Sequence, residues 1–180
     1  MPRNDRAAVP WPGDAAGQGP SPVSRARIVN RDFYSVGFRA DDRFPRYVED
    51  ATRAHPHLKN TFVFTGPISD RSTLYEMYRR SRITCLTSRA ESFGFVLLEG
   101  MYFGNMIVSS DLPSSRDLTQ NGTLGLLYPI GDARKLAEAL TAVMTDKLDW
   151  PTLGWKAHKR VVSHFSWKAI VSDLERILLG

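Results

Sequence analysis

Short apolar runs alternate with segments of helical periodicity from about residue 32 to the end of the chain. The runs are mostly bounded by Gly, Pro, Ser or Asp, as strands commonly are. They predict five strands: Phe33–Val36, Thr61–Phe64, Ile83–Thr87, Met106–Ser109 and Leu124–Leu127. Strands that alternate with helices are typical of a parallel α/β layer fold.

Helical spacing fills the intervals between these runs. It predicts helices over residues 44–54, 72–80 and 95–103, and a turn or two of helix over residues 115–119. Asp132 is a good N-cap for the next helix, and Ser166 is a good N-cap for the last of two further helices. The expected fold class is therefore α/β, with a Rossmann-like parallel sheet flanked by helices.

The first 27 residues have a different composition. They contain five of the eleven prolines and a run rich in Gly and Ala, with few large apolar residues. Such a segment cannot bury enough apolar surface to offset the entropy of ordering it. We therefore expect residues 1–27 to be a disordered tail and residues 32–180 to form the folded domain.

The charge balance argues against a nucleic-acid partner. The chain of 180 residues has a formal net charge of +5, but residues 1–31 hold five arginines and two aspartates, which account for +3 of that total. A nucleic-acid-binding domain instead concentrates basic residues on a folded face. The single cysteine, Cys85, can form no disulfide within the chain. That fits a reducing, cytoplasmic location.

The segment after the third strand offers an anion site. Ligands on parallel α/β sheets bind at the carboxyl ends of the strands, and here residues 88–94 lead directly into an apolar helix. The free N–H groups and the positive dipole end of a helix N-terminus attract anions. Gly94 allows a phosphate to approach the backbone closely, although a plain turn explains this glycine equally well.

Glu99 is a second candidate, because it lies in the apolar segment Phe95–Phe103. A carboxylate in apolar surroundings needs charge or hydrogen bonds to satisfy it. One interpretation is a buried salt bridge to Arg82 or Arg89. The other is that Glu99 accepts hydrogen bonds from vicinal hydroxyls, such as those of a ribose.

The sequence here resembles the group 1 (family 4) retaining glycosyltransferases of the GT-B fold, in their C-terminal, donor-binding half. Glu91 and Glu99, with seven residues between them, are similar to the paired-glutamate motif of that family. The resemblance covers about residues 60–170. It also includes Phe62–Gly66 before the motif, and Asn121–Leu127 and Phe165–Trp167 after it.

The resemblance implies roles for particular residues. Glu99 would hold the ribose of a nucleotide, and Glu91 would contact the donor sugar as the candidate catalytic residue. The backbone amides of Phe93, Gly94, Phe95 and Val96 would cradle the diphosphate. The family is also expected to retain anomeric configuration by front-face attack, without a protein nucleophile, cofactor or metal.

Two departures from the family pattern stand out. Members usually carry an Arg and a Lys early in this half, and the nearest candidates here are Arg39 and Arg43. The glycine pair of a later loop is replaced by Pro113, Ser114 and Ser115. Contacts to the diphosphate from these two regions are therefore the least well matched part of the expected site.

The resemblance implies that the chain binds a nucleotide-diphosphate sugar, most simply a UDP-sugar. Sugar transfer would need an acceptor domain or protein partner, so we expect the isolated chain to be inactive or weakly hydrolytic. The alternative is a non-catalytic module derived from such an enzyme, which binds the nucleotide sugar or a partner. Lys156, Lys159 and Arg160 lie near Trp155 and form either a solvated face or a peripheral contact with anionic membrane lipid.

Overall fold

The computed structural model describes residues 33–36, 43–56, 61–145 and 148–179. Its elements, in chain order, are β1 (Phe33–Val36), α1 (Arg43–Ala54), β2 (Phe62–Gly66), α2 (Arg71–Arg80), β3 (Ile83–Leu86), α3 (Phe95–Tyr102), β4 (Met106–Ser110), α4 (Pro113–Thr119), β5 (Gly125–Tyr128), α5 (Ala133–Met144), α6 (Trp150–His164) and α7 (Trp167–Leu179). The expected α/β class, with parallel strands flanked by helices, is confirmed. The tail expected at residues 1–27 lies outside the described residues.

The described residues form two compact units, and the division falls after Glu76, within α2. In the N-terminal unit, which ends at Glu76, β1 and β2 form a parallel two-stranded sheet. Phe33 and Phe62 are paired directly across the two strands, and their rings stack with centroids 5.3 Å apart. This cross-strand aromatic contact strengthens a small sheet, since two strands alone are marginally stable.

The C-terminal unit, from Met77 onward, contains a parallel sheet with the order β3-β4-β5. All five residues of the central strand β4 are buried. Its side chains alternate between two apolar clusters, because neighbouring residues of a strand point to opposite faces. Ile107 packs with residues of α3 and α6, whereas Met106 and Val108 pack with Val143 of α5. The sheet is thus covered by helices on both faces.

Element positions agree closely with the sequence, but the pairing of the strands differs from our expectation. We expected one five-stranded sheet, whereas the hydrogen bonds among the described residues form sheets of two and three strands. The Asp132 side chain accepts a hydrogen bond from the Lys135 amide at 2.9 Å, and Ser166 accepts one from the Ala169 amide at 3.2 Å. Both predicted N-caps are therefore confirmed.

Among the described helices, none has the length and apolar character needed to cross a membrane.

Candidate functional site

The loop between β3 and α3 ends at a left-handed glycine. Gly94 is the N-cap of α3, with φ 87° and ψ 47°, and no side chain caps this helix end. Its carbonyl accepts hydrogen bonds from the amides of Leu97 and Leu98, at 2.9 and 3.1 Å. The amides of Phe95 and Val96 come first in the helix, where no intrahelical acceptor exists. The turn therefore presents backbone N–H groups at the carboxyl end of β3.

Glu91 lies beside this turn. Its side chain is exposed, and Oε1 accepts a hydrogen bond from the Ser92 amide at 3.1 Å. A Cβ placed on Gly94 would lie 3.7 Å from Cγ of Glu91 and 3.4 Å from Cδ1 of Leu118. The Glu91 carboxylate is thus held close to the helix start but remains open to solvent, as a ligand-contacting group must be.

Glu99 lies in the second turn of α3 and is half-buried. Its Oε2 accepts a hydrogen bond from the hydroxyl of Tyr78, on α2, at 2.9 Å. Burial, together with the negative charge and the hydrogen bond of Glu99, holds the pKa of Tyr78 above its usual range. The phenol therefore remains protonated and continues to donate to the carboxylate.

Within the described residues, this hydrogen bond supplies the polar partner that the half-buried Glu99 carboxylate needs. The salt-bridge interpretation of the sequence assigns Arg82 or Arg89 as the partner of Glu99, but the polar contact of the carboxylate is with Tyr78. The guanidinium of Arg82 lies over the ring of Trp150, 4.6 Å from its centroid. A nitrogen of Arg89 lies 3.9 Å from the position that a Cβ on Gly131 would take. The salt-bridge alternative is wrong for this structure.

Sequence reasoning missed Tyr78 for a physical reason. It lies 21 residues before Glu99, on a different helix. The helical spacing of residues 72–80 predicted the helix that carries it, but no local pattern indicates which distant side chain a tyrosine hydroxyl will reach. Only tertiary packing, which brings Tyr78 beside Glu99, determines that contact.

The exposed side of the α3 N-terminus is aromatic. Phe95 is 68% exposed, although the apolar sequence of this helix suggested burial on most sides. Phe93 packs against Phe95 and Phe165, with ring centroids 4.9 and 6.1 Å apart. A cleft of about 230 Å³ opens beside these rings. It is lined by Ser92, Phe93, Ser114, Asp117, Leu118, Arg160 and Phe165.

Arg160 is a second residue whose role the sequence did not indicate. Its guanidinium donates to the carbonyls of Asp117 and Leu118, at 2.9 and 3.1 Å, and lies over the ring of Phe165. These carbonyls belong to the last turn of α4, where a cation complements the helix dipole. Arg160 therefore binds α6 to α4 rather than contributing only to a solvated basic face. Lys159, in contrast, lies exposed with its ammonium 5.1 Å from the Trp155 ring centroid.

The loop that replaces the glycine pair forms the start of α4. Pro113 occupies the first turn of this helix, where its missing N–H has no cost. The buried hydroxyl of Ser115 lies 2.9 Å from that of Ser109 on β4. Arg116 donates two hydrogen bonds to the Asp111 carboxylate, at 2.6 and 2.7 Å. Polar contacts thus fasten α4 to the carboxyl end of β4.

Of the eight residues that the sequence singled out for binding or catalysis, the structure brings six together. These are Glu91, Phe93, Gly94, Phe95, Val96 and Glu99, all in the C-terminal unit. Arg39 lies outside the described residues, and Arg43 begins α1 in the N-terminal unit without a described side chain. In the part of the chain that the structure describes, no three His, Cys, Asp or Glu side chains are grouped to hold a metal ion.

Comparison with protein families identifies the class of protein. Residues 47–162 match the family model described as glycosyl transferases group 1. Phosphatidyl-myo-inositol mannosyltransferase of Mycolicibacterium smegmatis is 31% identical over 154 residues, which are 84% of this chain and 37% of the relative. The chain therefore belongs to the group 1 glycosyltransferase family, and the resemblance drawn from its paired glutamates is confirmed.

Solved structures agree with this assignment. Sucrose-phosphate synthase of Thermosynechococcus elongatus is 27% identical, with a TM-score of 0.65 over 80% of this chain and 36% of that chain. The Anabaena protein HepE, crystallised in complex with UDP, is 21% identical, with a TM-score of 0.67 over 82% of this chain and 40% of that chain. The latter likeness shows the fold. The chain thus spans well under half the length of each of these proteins.

Proposed function

We propose that this chain is the donor-binding part of a retaining glycosyltransferase and that it binds a nucleotide-diphosphate sugar at the carboxyl end of β3. The observation that carries the proposal is the Gly94 turn. It presents the first amides of α3 beside the Glu91 carboxylate, with Glu99 one turn further along the same helix. Phosphate recognition by a helix N-terminus and diol recognition by a carboxylate are thereby combined on one rigid element.

Each residue has a defined role in this proposal. The amides of Phe93, Gly94, Phe95 and Val96 bind the diphosphate, and Glu99 accepts hydrogen bonds from the ribose hydroxyls. Glu91 contacts the donor sugar. HepE, which has the same fold, was crystallised with UDP and with UDP-glucose, which supports a UDP-sugar as the donor.

In the proposed reaction, the bond from the sugar to the diphosphate oxygen breaks and its electron pair leaves with the diphosphate. The acceptor oxygen bonds to the same face of the sugar and passes its proton to the departing phosphate oxygen. The departing diphosphate takes up negative charge. The backbone amides of α3 stabilise that charge, and preorganised donors of this kind make large contributions to catalysis. Further neutralisation by Arg39 and Arg43, the candidates that the sequence offers, stays a prediction from the sequence. The acceptor is bound by another domain or a partner protein.

Calorimetry with UDP, GDP and ADP tests the binding proposal. We expect one of them to bind, and we expect Glu99→Gln to weaken that affinity by about 1.5–3 kcal/mol, the contribution of a hydrogen bond to a charged group. Glu175→Gln on the exposed part of α7 is the matched control and should bind like the parent chain. Unchanged affinity in a folded Glu99→Gln protein would overturn the ribose role, and no binding of any nucleotide would overturn the proposal.

Glu91 needs a different comparison, because it is proposed to contact the sugar and not the nucleotide. Glu91→Gln should leave UDP affinity unchanged and weaken the affinity for UDP-glucose. Because Glu91 is exposed, Glu91→Gln should fold like the parent chain, and a thermal melt checks this. Equal loss for both ligands would contradict the assigned role. Activity of the chain with an added acceptor domain separates a transferase from a non-catalytic nucleotide-sugar-binding module.

A further inference from the structure

The hydrogen bond between Tyr78 and Glu99 connects two helices at the candidate site. Tyr78 lies on α2 and Glu99 on α3, and the phenol oxygen is 2.9 Å from Oε2. We infer that Tyr78 is a positioning residue, which holds the Glu99 carboxylate in the orientation that receives the ribose diol. This inference rests on the proposed function, since it assigns a task to Tyr78 only if Glu99 binds the nucleotide.

The chemistry of the partner supports this role. A carboxylate has two oxygens with about four acceptor positions, and a phenol occupies one of them. A bidentate arginine would engage both oxygens and neutralise the charge. Tyr78 instead fixes the carboxylate through Oε2 and adds no positive charge. The other acceptor positions of the Glu99 carboxylate are therefore left for the hydroxyls of a ligand.

Tyr78 is itself held in place by the end of α3. Its ring stacks on Phe103, with centroids 5.5 Å apart and an interplanar angle of 6°. Phe103 is the C-cap of α3, and its amide donates to the backbone carbonyl of Glu99 at 3.0 Å. The phenol is thus fixed by the same helix end that carries the carboxylate. Side chains locked by packing in this way give binding groups their precise geometry.

The phenol also remains a donor over the working range of an enzyme. Burial and the negative charge of Glu99 raise the pKa of Tyr78, so it does not ionise near neutral pH. Replacement of Tyr78 by Phe removes only the hydroxyl and leaves a ring that can stack on Phe103. In the Tyr78→Phe variant, the Glu99 side chain loses this hydrogen bond and is free to take other rotamers. Nucleotide binding must then restrict the side chain, which weakens the affinity.

A double-mutant cycle measured by calorimetry with UDP tests the inference, and GDP or ADP is used if the parent chain binds one of those instead. The proteins are the parent chain, Tyr78→Phe, Glu99→Gln and the double variant. We expect Tyr78→Phe to weaken nucleotide affinity about 3- to 10-fold in the parent background and to have little effect when Glu99 is already replaced. Tyr102→Phe is the matched control, because Tyr102 lies on the same helix as Glu99 and is 43% exposed.

The outcomes separate the inference from the proposed function. A loss confined to proteins that retain Glu99 supports positioning by Tyr78, because a general folding defect would weaken both backgrounds equally. If Glu99→Gln weakens binding while Tyr78→Phe does not, the positioning role is wrong and the proposed function remains. An equal loss from Tyr78→Phe in both backgrounds also overturns positioning through Glu99. Unchanged affinity in Glu99→Gln overturns the ribose role and the inference together.

Discussion

Gly154 of α6 lies directly against the backbone of Gly104, in the turn that follows α3. A Cβ on Gly154 would overlap the carbonyl oxygen of Gly104. This close approach lets Ala157 and Val161 of α6 pack with Leu97 and Met101 of α3 in one apolar cluster. The helix that carries Glu99 is therefore positioned by a glycine on another helix.

We expect Gly154→Ala to destabilise the chain by about 1–3 kcal/mol, as overpacking of a close contact commonly does. The clash is with backbone, which cannot move aside as a flexible side chain can. Thermal or urea unfolding measures the effect. Thr152→Ala, at an exposed position on the same helix, is the control and should change stability much less. A Gly154→Ala protein as stable as the parent would show that α6 can shift away from Gly104 without loss of stability.

The elements of this fold follow largely from local signals. Asp132 and Ser166 cap helices where the sequence predicts them, because an N-cap depends on residues within one turn. The start of α3 at Phe95 is also as expected, since Gly94 can adopt the left-handed conformation that the turn requires. The sequence could single out the residues of the candidate anion site and the paired glutamates because they are close together in the chain and form a pattern that resembles a family motif.

Contacts over long chain separations could not be predicted in this way. The sequence suggested a salt bridge for Glu99, but the hydroxyl of Tyr78 satisfies it from another helix. The division of five strands into two sheets also depends on tertiary packing that apolar runs do not encode. Arg160 looked like part of a basic surface, yet it binds the carbonyls at the end of α4. Apolar surroundings indicated that the Glu99 carboxylate needed a polar partner, but not which one.

Gly94→Ala should damage both stability and the candidate site. A residue with a side chain costs about 1–2 kcal/mol in the left-handed conformation, and the new Cβ would also lie 3.4 Å from Leu118. Gly66→Ala is a matched control, since Gly66 has a similar φ of 70° with open space around it. Both variants should melt earlier, but only Gly94→Ala should also weaken nucleotide affinity in calorimetry. Equal affinities for the two would contradict a diphosphate site at the Gly94 turn.

The ion pair of Asp111 and Arg116 should stabilise the attachment of α4 at neutral pH and lose this effect in acid. Hydrogen bonds from Arg116 lower the pKa of Asp111, so the folded state favours the ionised carboxylate. Its stabilising effect is then present above about pH 4, where aspartate is ionised in the unfolded chain. The effect is lost as the pH falls through the lower pKa of the folded state. Asp111→Asn should therefore lower Tm at neutral pH but differ little from the parent in acid.

Thermal melts from pH 7 to pH 2 at low salt measure this difference. Both side chains are partly exposed, so the effect should be small and should shrink further as salt is added. Asp117→Asn, on α4, is the control for the loss of one negative charge. A Tm difference that persisted unchanged into strong acid would show that Asp111 acts through its shape and not through its charge.

The last prediction is that the 180-residue chain alone transfers no sugar to an acceptor, even where it binds the donor. At its candidate site, Glu91, Phe95 and Val96 are exposed to solvent beside the Gly94 turn. Holding donor and acceptor together in a closed site supplies roughly 7–11 kcal/mol of the barrier, and water would reach a donor bound on an open turn. We therefore expect slow hydrolysis at most. The chain is incubated with UDP-glucose and with lipid, protein and saccharide acceptors, and mass spectrometry measures sugar transfer and hydrolysis. The Glu91→Gln variant is the control. Robust transfer that disappears in Glu91→Gln would mean that these residues already build an acceptor site.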